Sequence, residues 1–381
     1  MEGMTTLTYI ETVSSVLRWE TKLVYRRLLK SDAPMPPPDE YYRPSTLSAS
    51  MVSECAYAAS IIAHACNSSV TVDMDAVRYS QRLNRLSDRV SDTDLQLRDF
   101  GHDADYAIEL DLPSVVVDKF GVILVWYLPD VLTPWRQRQM QDGLLTVRRQ
   151  FKQNSPLSVE SKQKASWRRL ETNFREGCEQ ALPNGTPTFA PAWYAVGSKI
   201  GREPPTTSAT LTGINKESGY AFMDDMKDTM ALVTAILSVI HPTQYSTGMA
   251  VLSKLMQSDD YAEVLNHWAS CFTAMQIINN RVSPAHLDPG ASYGCFDMVA
   301  TVGNYSGGLF KFPSLSLNVD QRPGSILAFP AHVLQHEVTE FTGNRVSFAW
   351  FMKDAVHSWT QEKQVDWSDT ATFGHLMNVL G

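Results

Sequence analysis

Three residues stand at a spacing that can hold a metal ion: His286-Leu-Asp288 and, fifty residues on, His336. Two imidazoles and one carboxylate can occupy one face of a six-coordinate Fe(II). They leave three positions open for a bidentate cosubstrate and O2. His-x-Asp at the end of an extended segment turns both side chains to one side, because strand side chains alternate with period two. The distal histidine must then come from another strand. Nine residues beyond His336 stands Arg345, with Ser347 two further on. The planar fork of an arginine suits the distal carboxylate of 2-oxoglutarate, and the serine hydroxyl can add a third hydrogen bond. Val346, Phe348 and Trp350 read as the opposite, apolar face of the same strand. Asn280 and Arg281 are candidates for the C1 carboxylate of the cosubstrate.

Two alternatives stay open. His332 lies four residues before His336, a helical spacing, but the flanks AFPA and LQHEV are strand-like and no HExxH motif is present. His332 therefore competes with His336 only as the distal ligand. Gly307-Gly308 has no Lys-Ser/Thr after it, so it reads as a strand turn near a barrel mouth and not as a phosphate loop. Tyr293, Phe296 and Asp297 follow the His-x-Asp motif and are candidates for lining a substrate pocket.

The elements that position these residues are legible in outline. From Cys271 to about residue 353, short apolar runs alternate with Gly, Pro and Asn, the pattern of antiparallel strands. Residues 114–129 (SVVVDKFGVILVWYLP) read as a hairpin turning at Lys119–Gly121 and added to that set. Residues 6–30 read as a helix with Val13, Leu17, Leu23 and Leu28 on one face; 31–44 as a proline-rich connector; 46–66 as a second helix; 69–108 as weakly helical. Pro156 is expected to split a basic region into two helices, and Pro242 to separate helices at 222–241 and 247–270. The fold class expected is α+β, a double-stranded β-helix (jelly-roll) barrel buttressed by N-terminal helices. Its expected division is a helical extension 1–111, a catalytic domain 112–353 (core 271–353, basic helical insert 131–182) and a tail 354–381.

The 381 residues carry a net charge of −8 and 44% hydrophobic residues. This excludes global disorder and a generally basic nucleic-acid coat. Residues 136–175 nevertheless hold ten Lys/Arg against three acids, a local +7. Such a segment is either a solvated helix face or a phosphate-contacting face; a duplex needs several cations to replace its counterions. Arg148, Arg149, Lys152, Arg168 and Arg169 are the candidate contacts, with Lys199 and Arg202 from a loop at 184–206 that also carries Trp193. Five scattered cysteines without a CxxC pair fit a reducing compartment. No signal peptide or membrane span is visible, and a soluble intracellular protein is expected.

The stretches VGNYSGGLFKFPSL, PGSILAF, LQHEV and GNRVSF resemble the Fe(II)/2-oxoglutarate-dependent dioxygenases of the TET/JBP group, and more narrowly the fungal TET-like proteins. GVILVWYLPDVL is similar to a segment of the same proteins, so the resemblance covers roughly residues 112–353. It implies His286, Asp288 and His336 as iron ligands, Arg345 and Ser347 on 2-oxoglutarate, and Fe(II), 2-oxoglutarate and O2 as cofactors. It implies oxidation of the methyl group of a modified base, 5-methylcytosine and/or N6-methyladenine. Methylated DNA is then the partner and the nucleus the location; neither a membrane nor a protein partner is implied. Animal members carry a cysteine-rich zinc-binding region that the scattered cysteines here cannot supply. A protein hydroxylase of prolyl type is the alternative reading of the same metal chemistry, since one barrel serves many substrates.

Overall fold

The computed structural model describes residues 4–32, 34–85, 107–158, 167–177, 182–194, 200–288, 290–363, 365–367 and 372–381. Thirteen named strands form two sheets among these residues. They are β1 (Ser69–Val72), β2 (Ile108–Leu110), β3 (Ser114–Asp118), β4 (Ile123–Leu128), β5 (Thr188–Phe189), β6 (Ala274–Asn279), β7 (Ser283–His286), β8 (Asp297–Gly307), β9 (Phe310–Phe312), β10 (Leu317–Val319), β11 (Ile326–Phe329), β12 (His336–Val338) and β13 (Phe341–Phe351). The larger sheet runs β1-β3-β4-β11-β8-β13-β6-β5 and the smaller β2-β10-β9-β12-β7.

Strands β6 to β13 cross between the sheets, with only β9 and β10 consecutive in one, so that β11-β8-β13-β6 lies opposite β10-β9-β12-β7. That eight-strand weave is a double-stranded β-helix, and the fold is α+β. The hairpin β3–β4 extends the larger sheet through β4 on β11, as the sequence suggests.

Alternation sets the two faces of the larger sheet. On β13, Val346, Phe348 and Trp350 are buried with Met275 and Ile277 of β6 and Met298, Ala300 and Val302 of β8 in one core. The same core takes in Ile10, Val13 and Leu17 of the helix Thr6–Leu28, Ala59 and Ile62 of Ala49–Cys66, and Leu232 and Ile236 of Lys227–Ile240. Residues of opposite parity, Arg345, Ser347, Ala349 and Phe351, line a cavity between the sheets. A second core, with Phe310, Phe312, Val319 and Val333, holds the smaller sheet against the inner side of β4 and β11.

Several local expectations change. Leu28 is 39% exposed; the buried stripe of the first helix runs through Tyr9, Ile10, Val13, Val16 and Leu17. Residues 69–72 form a strand, because β1 pairs in parallel with β3; a helix follows at Ala76–Arg85, and 86–106 lie outside the described residues. Among the described residues the basic region is not two helices split at Pro156, and 159–166 lie outside them. It holds the helices Pro134–Gly143 and Arg148–Gln153 and the 3-10 turns Trp167–Arg169 and Glu171–Asn173. Four helices replace the expected two beyond residue 215 (Lys216–Asp225, Lys227–Ile240, Pro242–Leu255, Asp259–Asn266). Pro242 stands at a helix N1 position, where its missing N–H removes no bond, so it starts a helix.

Arg136 ties three helices together. It is fully buried, with Nε 3.0 Å from Glu54 Oε1, Nη2 2.5 Å from Glu54 Oε2 and 3.5 Å from Asp228 Oδ2. Removing one member of a buried ion pair leaves a charge without compensation. Glu54→Ala is expected to destabilise the chain by about 3–5 kcal/mol, read as a lower urea midpoint, with Glu54→Gln between the two.

Candidate active site

His286 ends β7 and His336 begins β12, and the two are register partners across the antiparallel pair. Their rings lie 4.2 Å apart. Asp288 follows β7 by two residues and is fixed by its N–H, which donates to Ala331 O at 2.9 Å. Its Oδ1 lies 3.6 Å from His286 Nε2 and its Oδ2 3.5 Å from His336 Nε2. Each imidazole has Nδ1 on the carbonyl two residues before it, His286 on Pro284 O (2.7 Å) and His336 on Leu334 O (2.9 Å). With Nδ1 protonated for those bonds, Nε2 presents its lone pair toward Asp288 on both rings. One ligand atom from each of the three residues falls within 4.8 Å of the others. The donor set and its preset tautomers fit a divalent metal ion on one face.

Burial pushes His286 below the usual histidine range, which favours the neutral, ligating form. His332 is elsewhere. It stacks on Tyr293 with ring centroids 4.4 Å apart, and its Nδ1 is 2.5 Å from Ala291 O.

A cavity of about 310 Å³ opens from this cluster between the sheets. In its wall stands Arg345, 2% exposed, with Nη1 on Ser347 Oγ (2.8 Å) and Nη2 on Gln321 Oε1 (2.7 Å). Its Nε is buried without a hydrogen-bond partner. Arg281 also lines the cavity, 4% exposed, and its Nε is likewise unpartnered. Burial lowers the Arg281 guanidinium to about 10. Two buried cations with open donors fit a small dianion such as 2-oxoglutarate.

Backbone geometry makes room for this. Gly308 has φ +72°, and a Cβ there would press on Arg345 Cδ and Nε at 3.4 Å. Gly303, the register partner of Arg345, has φ +129° and lets β8 lie against the Asn344 carbonyl.

Asn280 differs from expectation. It sits at φ +54°, and its Oδ1 accepts from Arg345 N at 2.8 Å, so its side-chain oxygen fixes the arginine's backbone instead of facing the cavity. Phe296 is a core residue, edge-on to His241, and Tyr293 lines a neighbouring cavity. Asp297 does line the site cavity and is 8% exposed; its carboxyl makes no hydrogen bond or ion pair among the described residues. Burial and the charge of Asp288 push that carboxyl well above the usual range; Lys353 offsets part of the rise.

The basic segment does not form one charged face. Arg136 is in the core, Arg175 pairs with Glu340, and Arg169 Nη2 donates to Ser155 O at 3.1 Å. Arg168 Nη2 reaches Asp288 Oδ1 at 2.5 Å. Arg148, Arg149, Lys152 and Arg202 are exposed; Lys162, Lys164 and Lys199 lie outside the described residues. Trp193 lines the cavity and pairs through its backbone with Thr206. Gln321 and Trp167, both at the site, carried no sequence signal: each stands alone, without a motif or a repeating spacing.

Among the described residues, no helix is long and apolar enough to cross a membrane. Cys55, Cys66, Cys271 and Cys295 are free and buried. No curated protein matches the chain. It is similar to the solved structure of NgTET1 in complex with 5mC DNA, at 13% identity over 66% of this chain and 80% of that one, with a TM-score of 0.44. A 2OG-Fe(II) oxygenase family protein of Caulobacter crescentus is 11% identical, covering 75% and 86%, with a TM-score of 0.28. A full-length Neurospora crassa protein solved in complex with alpha-KG is 12% identical, covering 63% and 82%, with a TM-score of 0.26. Residues 190–354 match the Tet_JBP family model, described as the oxygenase domain of the 2OGFeDO superfamily. That span holds both histidines, Asp288 and the Arg345 strand, so the segment that builds the site is the one that matches an oxygenase domain of the superfamily that uses Fe(II), 2-oxoglutarate and O2.

Proposed function

We propose that this enzyme oxidises the methyl group of a modified base in DNA, 5-methylcytosine and/or N6-methyladenine, with His286, Asp288 and His336 as the iron ligands. The observation that carries the ligand assignment is the pair of Nε2 atoms turned on one carboxylate from register-paired strands. Bound Fe(II) with 2-oxoglutarate and O2 supplies the oxidising chemistry: one oxygen enters the C–H bond, the other leaves in succinate, and CO2 is released. Arg345 holds the distal carboxylate of 2-oxoglutarate with Ser347 beside it, and Arg281 holds the C1 end. Asn280 and Gln321 keep Arg345 in place.

The substrate reading rests on the TET/JBP-type domain and on the cavity's remaining wall. A base must leave the duplex to reach an enclosed metal. Trp193 and Phe351 offer it flat apolar surface, and Asp297 offers a buried carboxyl to its polar edge. A carboxyl held well above its usual range destabilises the empty fold once it ionises, as expected of a group kept for a ligand. Arg148, Arg149, Lys152 and Arg202 are the exposed cations that remain for phosphate contact, and Lys199 belongs to the same proposed set. In this reading the catalytic unit is residues 112–353, preceded by residues 1–111, which add helices to its core and β1 and β2 to its sheets, and followed by 354–381, and the protein works in the nucleus.

Incubation of methylated oligonucleotides with the chain, Fe(II), 2-oxoglutarate and O2 is expected to give hydroxymethylcytosine or demethylated adenine by mass spectrometry. If only proline-containing peptides gain oxygen, the protein-hydroxylase reading replaces this one. Arg345→Lys keeps the charge but loses the fork; the Michaelis constant for 2-oxoglutarate is expected to rise roughly ten- to a hundredfold, with metal uptake unchanged. Asp297 is protonated at low pH, and wild-type stability is lost as pH rises from the usual carboxylate value through its raised one. Asp297→Asn removes that loss. Without ligands it is expected to be more stable than the parent at pH 7 by roughly 1–3 kcal/mol and equal to it near pH 3, by thermal melting, while oxidation of methylated DNA falls.

A further inference from the structure

Arg168 belongs by sequence to the basic segment, yet it faces inward to the site. Its Nη2 lies 2.5 Å from Asp288 Oδ1 and 3.3 Å from Leu287 O. Its guanidinium lies over the Trp167 ring, 4.6 Å to the centroid, and that ring packs 4.5 Å from His286. The backbone is tied down as well: Arg281 Nη1 donates to Arg168 O at 3.1 Å, and Asn173 Nδ2 donates to Trp167 O at 2.8 Å. A surface ion pair has one contact; this pair of residues touches two of the three proposed ligands and one cosubstrate arginine.

A carboxylate that binds an ion through both oxygens fills two of six positions. With two histidines, that leaves two open, one fewer than a bidentate cosubstrate and O2 require together. The carboxylate must therefore bind through one oxygen. Held as it is by Arg168, Oδ1 has a charge-assisted partner of its own, and Oδ2 stays toward His336. We propose, resting on the ligand assignment above, that Trp167-Arg168 is a positioning strap that turns Oδ2 alone to the metal and so keeps three coordination sites free. It follows that Arg168 is not available to phosphates, and the exposed cations of the segment act without it.

The test is anaerobic titration of the full chain with Mn(II), followed by Co(II) absorption spectroscopy. Arg168→Gln is expected to weaken Mn(II) binding by about 10–100-fold and to shift the Co(II) ligand-field bands as the carboxylate turns. Arg168→Lys, which keeps a donor but no fork, should restore some of the affinity. Circular dichroism of both variants should match the parent, since the Arg168 side chain is 33% exposed. Unchanged affinity and bands in Arg168→Gln would overturn the strap while leaving the ligand set intact. Tighter binding would overturn it too, because Arg168 would then be competing with the ion. A parent chain that binds neither ion would remove the ligand assignment itself.

Discussion

The register of β7 on β12 is the constraint on which the site depends. His286 stands opposite His336, and the next pair, Val338 with Ser283, is reached only across an irregularity. A slip by one residue would turn every side chain of a strand to its other face, sending one imidazole out of the cavity and an apolar neighbour into it. What prevents the slip is the neighbourhood. β12 is also paired to β9 through Glu337 and Val338, and Asp288 is anchored by Ala331 beyond the end of the pair. The geometry of the His286, Asp288 and His336 cluster is thus specified by main-chain pairing, and the side chains inherit it.

Charge is the second theme. Arg168, Arg281 and Arg345 converge on one cavity, and the acidic groups there are Asp288 and Asp297. Arg281 is lowered by its burial, Asp297 is raised by its own, and open donors remain on two of the arginines. Each of these is a displacement that an anionic ligand or a hydrogen-bonding base relieves. Perturbed groups gathered in a cleft mark functional sites for this reason.

What could be read from the sequence follows the range of the interaction. Period-two alternation identified the β13 faces, with Arg345 and Ser347 on one and Phe348 and Trp350 on the other, because that pattern is local. The triad was legible because His-x-Asp is local and only one further ligand had to be found; the choice between His332 and His336 needed the strand register. Gln321, Trp167 and the inward Arg168 were not legible, since each is brought to the site by a contact between segments more than twenty residues apart. Asn280 is a candidate by sequence for the C1 carboxylate of the cosubstrate, but whether its oxygen faces the cavity or a neighbouring N–H is a matter of one positive φ. The basic segment misled for the same reason: counting charges along the chain says nothing about which of them the fold consumes in pairs.

One strand, β13, carries the Arg345 and Ser347 wall of the cavity on one face and the helical core on the other. Its two faces are one rigid body, so volume changes at Phe348 or Trp350 reach Arg345 and Ser347 through a backbone hydrogen-bonded on both edges. The opposite wall is different: Arg168, Trp193 and Lys353 come from segments outside the strands. The enzyme is therefore divided into a region that cannot drift and a region that can. Change at the cavity is accessible to this scaffold through its connecting segments, whereas the larger sheet fixes the Arg345 wall in one shape.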